Sequence, residues 1–263
     1  MLQYGMPTLI ELPKIEDCVK LCSELGLSFI EFNMCLPQFQ VEKLDKKLLS
    51  ELSEKNNIYY TIHLDDTNTP CDFNPKIANA YTDTVLETIN IAKQLNIPIL
   101  NMHLELGTHF TLPDRKVLLF EEYINVYLSN LTIFRDKCEQ AVGNSNIKIC
   151  VENTGAFCHS IGKKSLSLLL ESPVFALTFD TGHDASNNFK QRPVINTHIH
   201  RLAHMHLHDA LVSEHKDHLP FGCGELKLHD YLKLANNHNS RVVLEVKTID
   251  GLKKSVEWLK SME

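Results

Sequence analysis

Side chains capable of metal chemistry are concentrated in the stretch 174–225. An apolar run there ends in Asp180, and His183 follows three residues later. The next apolar run, 202–209, alternates histidine with small or apolar residues, so its histidines share one side of an extended strand. These histidines are His204, His206 and His208. Carboxylates and imidazoles gathered at strand ends suit a borderline-soft divalent cation such as zinc, manganese or iron.

A repeating pattern along the chain predicts the elements that must position these residues. Strands are predicted at 2–6, 28–33, 58–63, 98–104, 147–152, 174–180, 202–208 and 241–246. Apolar residues at helical spacing predict helices at 14–26, 44–55, 75–95, 114–142, 164–171, 193–201, 228–237 and 251–262. No linker or change in composition separates these eight units. We therefore expect one α/β domain, a (β/α)8 TIM barrel over residues 1–263.

The composition argues against several other classes of protein. A hydrophobic share of 43% and a charged share of 22% are those of a folded globular chain. The net charge of -7 and the scattered basic residues give no basic stripe, so DNA is a possible partner but not the favoured one. The cysteine spacing indicates no disulfide framework, and the amino terminus is not signal-like. Without a long apolar run, we expect a cytoplasmic protein that does not enter a membrane, and the oligomeric state stays open.

Six predicted strands carry a histidine, aspartate or glutamate at or near their carboxyl ends. They are His63, His103, Glu152, Asp180, His206 and Glu245. The carboxyl ends of barrel strands converge on one mouth, where enzymes of this architecture place their chemistry. One such histidine alone would most simply be a hydrogen-bonded rim side chain, but six strands in succession predict a metal site. His183 and His218, in the loops after the sixth and seventh strands, could reach the same rim, and we expect His204 to pack beneath it.

Seven segments resemble, in order and spacing, the motifs of the xylose isomerase-like TIM-barrel superfamily (AP endonuclease family 2), and most closely those of its endonuclease IV-like branch. They are 61–64 (Thr-Ile-His-Leu), 101–107 (Asn-Met-His-Leu-Glu-Leu-Gly), 151–154 (Val-Glu-Asn-Thr), 179–183 (Phe-Asp-Thr-Gly-His), 205–209 (Met-His-Leu-His-Asp), 218–225 (His-Leu-Pro-Phe-Gly-Cys-Gly-Glu) and 244–245 (Leu-Glu). The resemblance covers nearly the whole chain. It implies that the six strand-end residues, together with His183 and His218, hold the metal.

One position departs from the pattern of that branch. The branch has an aspartate two residues before the loop histidine, where this chain has Lys216, and Asp217 lies one step out of register. A third metal held by His183 and His218 would lack its carboxylate unless Asp217 supplies one, so we expect the third site to be weak or absent. Lys216 would instead hold a substrate phosphate or carboxylate as a point charge. The candidate substrate-binding residues are Lys216, His208 and Asp209.

The resemblance implies two chemistries, and the first is the main prediction. In a phosphoester or phosphodiester hydrolase, His63 and His103 would hold one cation, and Glu152 would bridge it to a second cation held by the other strand-end ligands. Two cations would lower the pKa of a water for attack and stabilise the charge of the phosphoryl group. Imidazole-rich ligation favours zinc, with manganese or iron as alternatives. The substrate would be a small phosphodiester rather than DNA.

The alternative is a single-metal isomerase or epimerase that acts on a sugar or sugar phosphate. Its cation would be held by a four-residue core, Glu152, Asp180, His206 and Glu245. The two glutamates would move a proton at the carbon next to the carbonyl as an acid/base pair, and His183 would bind a sugar hydroxyl. Only the additional histidines His63 and His103 separate the two chemistries. A second alternative is a barrel that binds a ligand without turnover.

Overall fold

The computed structural model describes residues 2–262 and contains a closed barrel of parallel strands. The strands in the described residues, inside and outside the barrel, are β1 (Tyr4–Pro7), β2 (Phe29–Asn33), β3 (Tyr59–His63), β4 (Ile99–Met102), β5 (His109–Thr111), β6 (Lys116–Leu118), β7 (Lys148–Glu152), β8 (Phe175–Asp180), β9 (Leu202–Leu207), β10 (Asp209–Leu211), β11 (Lys216–Leu219) and β12 (Arg241–Leu244). Around the barrel the order is β1, β12, β9, β8, β7, β4, β3, β2, and β2 pairs back to β1. The predicted TIM-barrel architecture is confirmed.

Helices follow the barrel strands along the chain. They are α1 (Ile15–Leu25), α2 (Lys46–Asn56), α3 (Pro75–Gln94), α4 (Leu119–Glu122), α5 (Ile124–Val142), α6 (Ser160–Leu169), α7 (Thr181–Ser186), α8 (Arg192–Thr197), α9 (Leu228–His238) and α10 (Ile249–Lys260). Local sequence sets several ends: Asp45 caps α2 through the backbone N–H groups of its first turn, and Gly26 ends α1 at a φ of 74°. No helix within residues 2–262 is long and apolar enough to cross a membrane.

Most barrel strands have an apolar outer face, and several carry polar inward residues toward the mouth. Outward residues such as Ile62, Val151 and Met205 join the main hydrophobic core with the surrounding helices. Inward residues such as Thr61 and Thr178 are equally buried but polar. The alternation follows from the two-residue period of a strand. It leaves a polar interior directly beneath the mouth, which apolar packing alone does not explain.

The predicted helix 114–142 begins later than expected. Residues 109–118 form an antiparallel hairpin of β5 and β6, in which His109 pairs with Leu118. The backbone N–H of Leu112 donates to the Arg115 carbonyl and closes a turn that contains Pro113. Proline is well suited to such a turn because its ring presets φ, so the chain reverses here before α4 starts. The helical-spacing argument did not detect this short hairpin.

A second hairpin, β10 and β11, follows β9 at the mouth. Asp209 pairs with Leu219 and Leu211 pairs with Lys216, with an irregular register between them. His215 takes the left-handed conformation at φ 52° in the turn, and His218 has φ 54°. The backbone conformation of residues 215–218 therefore determines which of their side chains face the barrel.

Candidate metal site at the barrel mouth

Four of the predicted ligands meet at the mouth of the barrel. Glu152 ends β7, Asp180 ends β8, His206 lies near the end of β9, and Glu245 directly follows β12. One nitrogen or oxygen atom from each of the four lies within 4.8 Å of the others, and all four side chains are buried. The four strands are neighbours in the barrel. Their carboxyl ends therefore deliver residues far apart in sequence to one point.

Glu152 is surrounded by imidazoles. Its Oε2 lies within 3.4 Å of three ring nitrogens, His63 Nε2, His103 Nε2 and His206 Nδ1. Its Oε1 lies 3.0 Å from His183 Nδ1. His63 and His103 come from the ends of β3 and β4, and their rings meet edge to face at 4.8 Å between centroids. Both histidines therefore contact Glu152, which is also one of the four residues of the core.

Glu245 contacts the same His206 nitrogen as Glu152 does. Its Oε2 is 3.1 Å from His206 Nδ1, and Glu152 Oε2 is 3.2 Å from the same nitrogen. The other oxygen, Oε1, accepts a hydrogen bond from Lys247 Nζ at 2.7 Å and lies 3.7 Å from His218 Nε2. The two glutamates thus bracket His206 Nδ1, and each presents one oxygen to the shared point.

Asp180 joins the core to helix α7. Its Oδ1 accepts a hydrogen bond from the backbone N–H of His183, so Asp180 is the N-cap of α7. This bond fixes the backbone of His183 in the first turn of the helix. Its Oδ2 lies 3.1 Å from His208 Nε2, and His208 Nδ1 accepts from the backbone N–H of His218 at 2.7 Å. These two contacts require the His208 hydrogen to be on Nε2. Both ring nitrogens of this predicted substrate-binding residue are therefore engaged within the protein.

The loop predicted to hold a third metal or a substrate anion has its own internal pairs. Asp217 Oδ1 lies 2.8 Å from His218 Nδ1, and Asp217 Oδ2 accepts from the Ser186 hydroxyl at 3.1 Å. The Lys216 side chain is 62% exposed and pairs with Glu214 at 2.6 Å. In the described part of the chain, no compact group of candidate ligands contains both His183 and His218. The weakness of a third site and a role for Lys216 in substrate binding both stay predictions.

Asp209, the third predicted substrate-binding residue, organises the backbone. Its Oδ1 accepts hydrogen bonds from the N–H groups of Ala210 and Leu226. Its Oδ2 accepts from those of Gly222 and Gly224, at 3.1 and 2.8 Å. The carboxylate is almost fully buried. In this structure Asp209 ties the Gly-x-Gly turn to β10, and whether it also contacts substrate stays a prediction.

The site has the properties expected of residues that hold a cation. Several buried polar atoms in it lack a well-formed hydrogen bond, among them His103 Nε2, His206 Nδ1 and Glu245 Oε2. Such atoms are costly to bury without a partner. A divalent cation would satisfy the lone pairs of nitrogen and oxygen together, and two or more carboxylates would balance its charge. The residues present therefore fit a bound divalent metal.

Neighbouring carboxylates and imidazoles in the site shift one another's pKa toward the charged form. Burial would raise the pKa of Glu152, but His206 and other imidazoles hold it well below its usual range. The same balance, with His206 and Lys247 as the cations, lowers the pKa of Glu245. Burial would lower the pKa of His63, but Glu152 raises it to about 9. Glu152 and Glu245 are thus ionised near neutral pH, and His63 must release a proton when it binds a metal.

Sequence reasoning missed several residues that contact the predicted ligands, among them Glu31, Asp66 and Asn101. Glu31, in the middle of β2, lies 2.7 Å from His206 Nε2. Asp66 lies 3.5 Å from His63 Nδ1 and 3.7 Å from His103 Nδ1, and the Asn101 amide donates to Glu152. A charged residue inside an otherwise apolar strand was the available signal for Glu31. For Asp66, in a loop, spacing offered none.

The chain belongs to the family described as "Xylose isomerase-like TIM barrel", whose model matches residues 19–262. This finding confirms the superfamily predicted from the motifs. The family and the assembled carboxylate and imidazole groups agree with the prediction of a metal-dependent TIM-barrel enzyme. A comparison with curated proteins finds no significant match.

Several solved structures of the same fold are named as sugar epimerases or as similar to one. A D-tagatose 3-epimerase-like protein has a TM-score of 0.79 at 19% identity, covering 99% of this chain and 96% of that chain. The 3-keto-D-glucoside 4-epimerase of E. coli has a TM-score of 0.78 at 12% identity, covering 99% and 100%. The D-psicose 3-epimerase of Clostridium cellulolyticum H10, solved with D-tagatose, has a TM-score of 0.72 at 12% identity, covering 99% and 98%. At these identities the likeness establishes the fold.

Proposed function

We propose that this protein is a divalent-metal-dependent isomerase or epimerase of a small sugar or sugar phosphate, acting as a single (β/α)8 unit. The observation that carries the proposal is the four-residue core at the mouth, in which Glu152 and Glu245 bracket His206 Nδ1 at 3.2 and 3.1 Å. The names of the similar solved structures support the sugar chemistry. The hydrolase that the sequence motifs favoured becomes the second candidate.

The two glutamates supply the proton transfers in this proposal. A divalent cation held by the core would polarise the carbonyl and the adjacent hydroxyl of a bound hydroxy-ketone. Glu152 and Glu245 approach from different strands, so a substrate between them meets a carboxyl group on each side. One accepts the proton from the carbon next to the carbonyl, and the other returns a proton to the opposite face. The step requires the second carboxyl to be protonated when the substrate is bound.

The surrounding residues would orient the pair. Lys247 holds one oxygen of Glu245 at 2.7 Å, which leaves the other oxygen directed at the core. Asn101 donates instead to Glu152 Oε2, the oxygen that faces His206 Nδ1. The His183 ring is about a quarter exposed and lies 3.0 Å from Glu152 Oε1. It is therefore the imidazole placed to bind a sugar hydroxyl.

A phosphoester hydrolase is the second candidate because of one specific observation. His63 Nε2 and His103 Nε2 both lie within 3.4 Å of Glu152 Oε2, and a single-metal sugar enzyme does not require them. Together with Asp66 they form a further group of candidate ligands. With two bound cations, Glu152 would bridge the pair, and a small phosphodiester would be the substrate rather than DNA.

Metal content distinguishes the two candidates. The protein is purified without chelators or a histidine tag, and metals are measured by elemental mass spectrometry. Close to one equivalent of manganese, zinc or iron per chain, with turnover of a ketose in a substrate panel, would support the isomerase or epimerase. Two equivalents and cleavage of bis-(p-nitrophenyl) phosphate would overturn it in favour of the hydrolase.

Variants make the same distinction through activity. The change Glu152→Gln should abolish either reaction, because it removes both a metal ligand and a proton acceptor. The double change His63→Ala, His103→Ala should leave an epimerase largely active but should abolish a two-metal hydrolase. The matched control is His200→Ala, which removes an exposed imidazole before β9, at the opposite end of the barrel. An epimerase that lost its activity in the double variant and not in the control would refute the single-metal assignment.

A further inference from the structure

A buried glutamate contacts His206 from beneath the mouth. Glu31 lies in the middle of β2 and is 2% exposed, and His206 is fully buried. Glu31 Oε1 is 2.7 Å from His206 Nε2. The other ring nitrogen, Nδ1, faces the two glutamates of the core. The His206 ring therefore connects a buried carboxylate at one edge with the candidate metal position at the other.

The remaining contacts of Glu31 hold its carboxylate in place. Its Oε2 accepts a hydrogen bond from the Thr61 hydroxyl at 2.8 Å and lies 2.8 Å from His204 Nε2. Burial would raise the pKa of Glu31, but His206 and His204 lower it, so the group is ionised. A buried carboxylate without such donors would be strongly destabilising. These contacts extend from β2 across the barrel interior to β9.

Neighbouring rings also confine His206. His63 stacks on it with centroids 5.6 Å apart, and His204 meets it edge to face at 5.2 Å. Although Glu31 Oε1 is close to Nε2, that N–H does not form a linear hydrogen bond in this ring orientation. The two edges of the imidazole thus have different partners, and only the Nδ1 edge faces the mouth.

We propose that Glu31 is a positioning residue, which holds the hydrogen of His206 on Nε2 and leaves Nδ1 free to bind the cation. A neutral imidazole carries one N–H and one lone pair, so a carboxylate at Nε2 selects Nδ1 as the ligand atom. Carboxylates that accept from the far nitrogen of a ligating histidine also fix its ring orientation and raise its basicity. The inference needs only the metal core, and it holds for either candidate reaction.

The test measures metal affinity rather than turnover. Co²⁺ alone is titrated into the metal-free full-length protein in competition with a chromophoric chelator, and its visible spectrum is recorded. The change Glu31→Leu should weaken Co²⁺ binding by about 10- to 100-fold, the usual effect of removing such a partner. The change Glu31→Gln should weaken it less, because the amide oxygen can still accept from Nε2. Thr61→Val, which removes a donor to Glu31 but leaves the His206 contact, is the matched control.

A second measurement reports on the ring itself. In protein with ¹⁵N-labelled histidine, the His206 Nε2–H signal should persist in the Co²⁺-free, Zn²⁺-loaded parent and should be lost or exchange rapidly in Glu31→Leu. A purely structural role for Glu31 would lower the melting temperature without moving this signal or the affinity of the folded protein. Affinity that falls less than about tenfold in folded Glu31→Leu, or as much in Thr61→Val, would overturn the proposal.

Glu31→Gln decides the question if the leucine variant does not fold. A measurable loss of Co²⁺ affinity with a changed Co²⁺ spectrum would support the positioning role. Unchanged affinity or an unchanged spectrum would reject it. Because none of these measurements uses a sugar or phosphoester, failure of the proposed reaction would leave their result interpretable.

Discussion

Replacing Gly182 with alanine tests how tightly the site is packed around Asp180. A Cβ atom at Gly182 would lie 1.9 Å from His208 Cε1 and 2.6 Å from its Nδ1. His208 is fully buried, hydrogen-bonded to Asp180 and stacked on His218 with centroids 4.2 Å apart. The ring therefore has to move, and its movement disturbs both contacts. Overpacking of this kind typically costs about 1–3 kcal/mol.

The assay compares the melting temperatures of metal-free Gly182→Ala and parent. For a chain of 263 residues, about 2 °C is lost per kcal/mol, so we expect a fall of roughly 2–6 °C. Gly155→Ala is the matched control, because a Cβ there would meet nothing within 4 Å. Metal affinity should also fall in Gly182→Ala, since Asp180 loses the His208 hydrogen bond. A Gly182→Ala protein as stable as the control would refute the packing argument.

Two further predictions concern the loop anchor and the metal. Asp209→Asn should lower the free energy of unfolding by about 1–3 kcal/mol, because the amide nitrogen would face the N–H groups of Gly222 and Gly224 in place of an acceptor. Asp83→Asn, an exposed change on α3, should shift it by less than about 0.5 kcal/mol, and equal effects in chemical denaturation would contradict the role of Asp209. Removing the metal with a chelator should lower the melting temperature by about 5 °C relative to protein held at a hundredfold excess of Zn²⁺ over its dissociation constant. An unchanged melting temperature would argue against a cation bound only by the folded chain.

The residues that the two candidate reactions share do not decide between them. Glu152, Asp180, His206 and Glu245 suit either chemistry, and their positions do not separate hydrolysis from proton transfer. His63 and His103 are the distinguishing residues, because they lie close enough to Glu152 to hold a second cation. Metal stoichiometry is therefore the most informative single property of this protein.

The barrel, and the convergence of four predicted ligands at its mouth, followed from local sequence. Strand and helix periods repeat eight times, and the last inward residue of each strand can be read from the sequence. Since parallel barrel strands all end at one mouth, the convergence of Glu152, Asp180, His206 and Glu245 required no knowledge of packing. The hairpin at 109–118 escaped because its strands are only three residues long, too short for a periodicity to be recognised.

The partners of the ligands were decided only by the tertiary structure. Glu31 and His206 lie 175 residues apart, and their contact depends on how far the strands are staggered around the barrel. Likewise, in the irregular β10–β11 hairpin Asp217 contacts His218 and Lys216 is exposed to solvent. The sequence alone did not show which of these two neighbouring side chains faces the site. Local pattern specifies which side chains point inward. Barrel stagger and loop register specify which of them touch, and these arise from the packing of the whole chain.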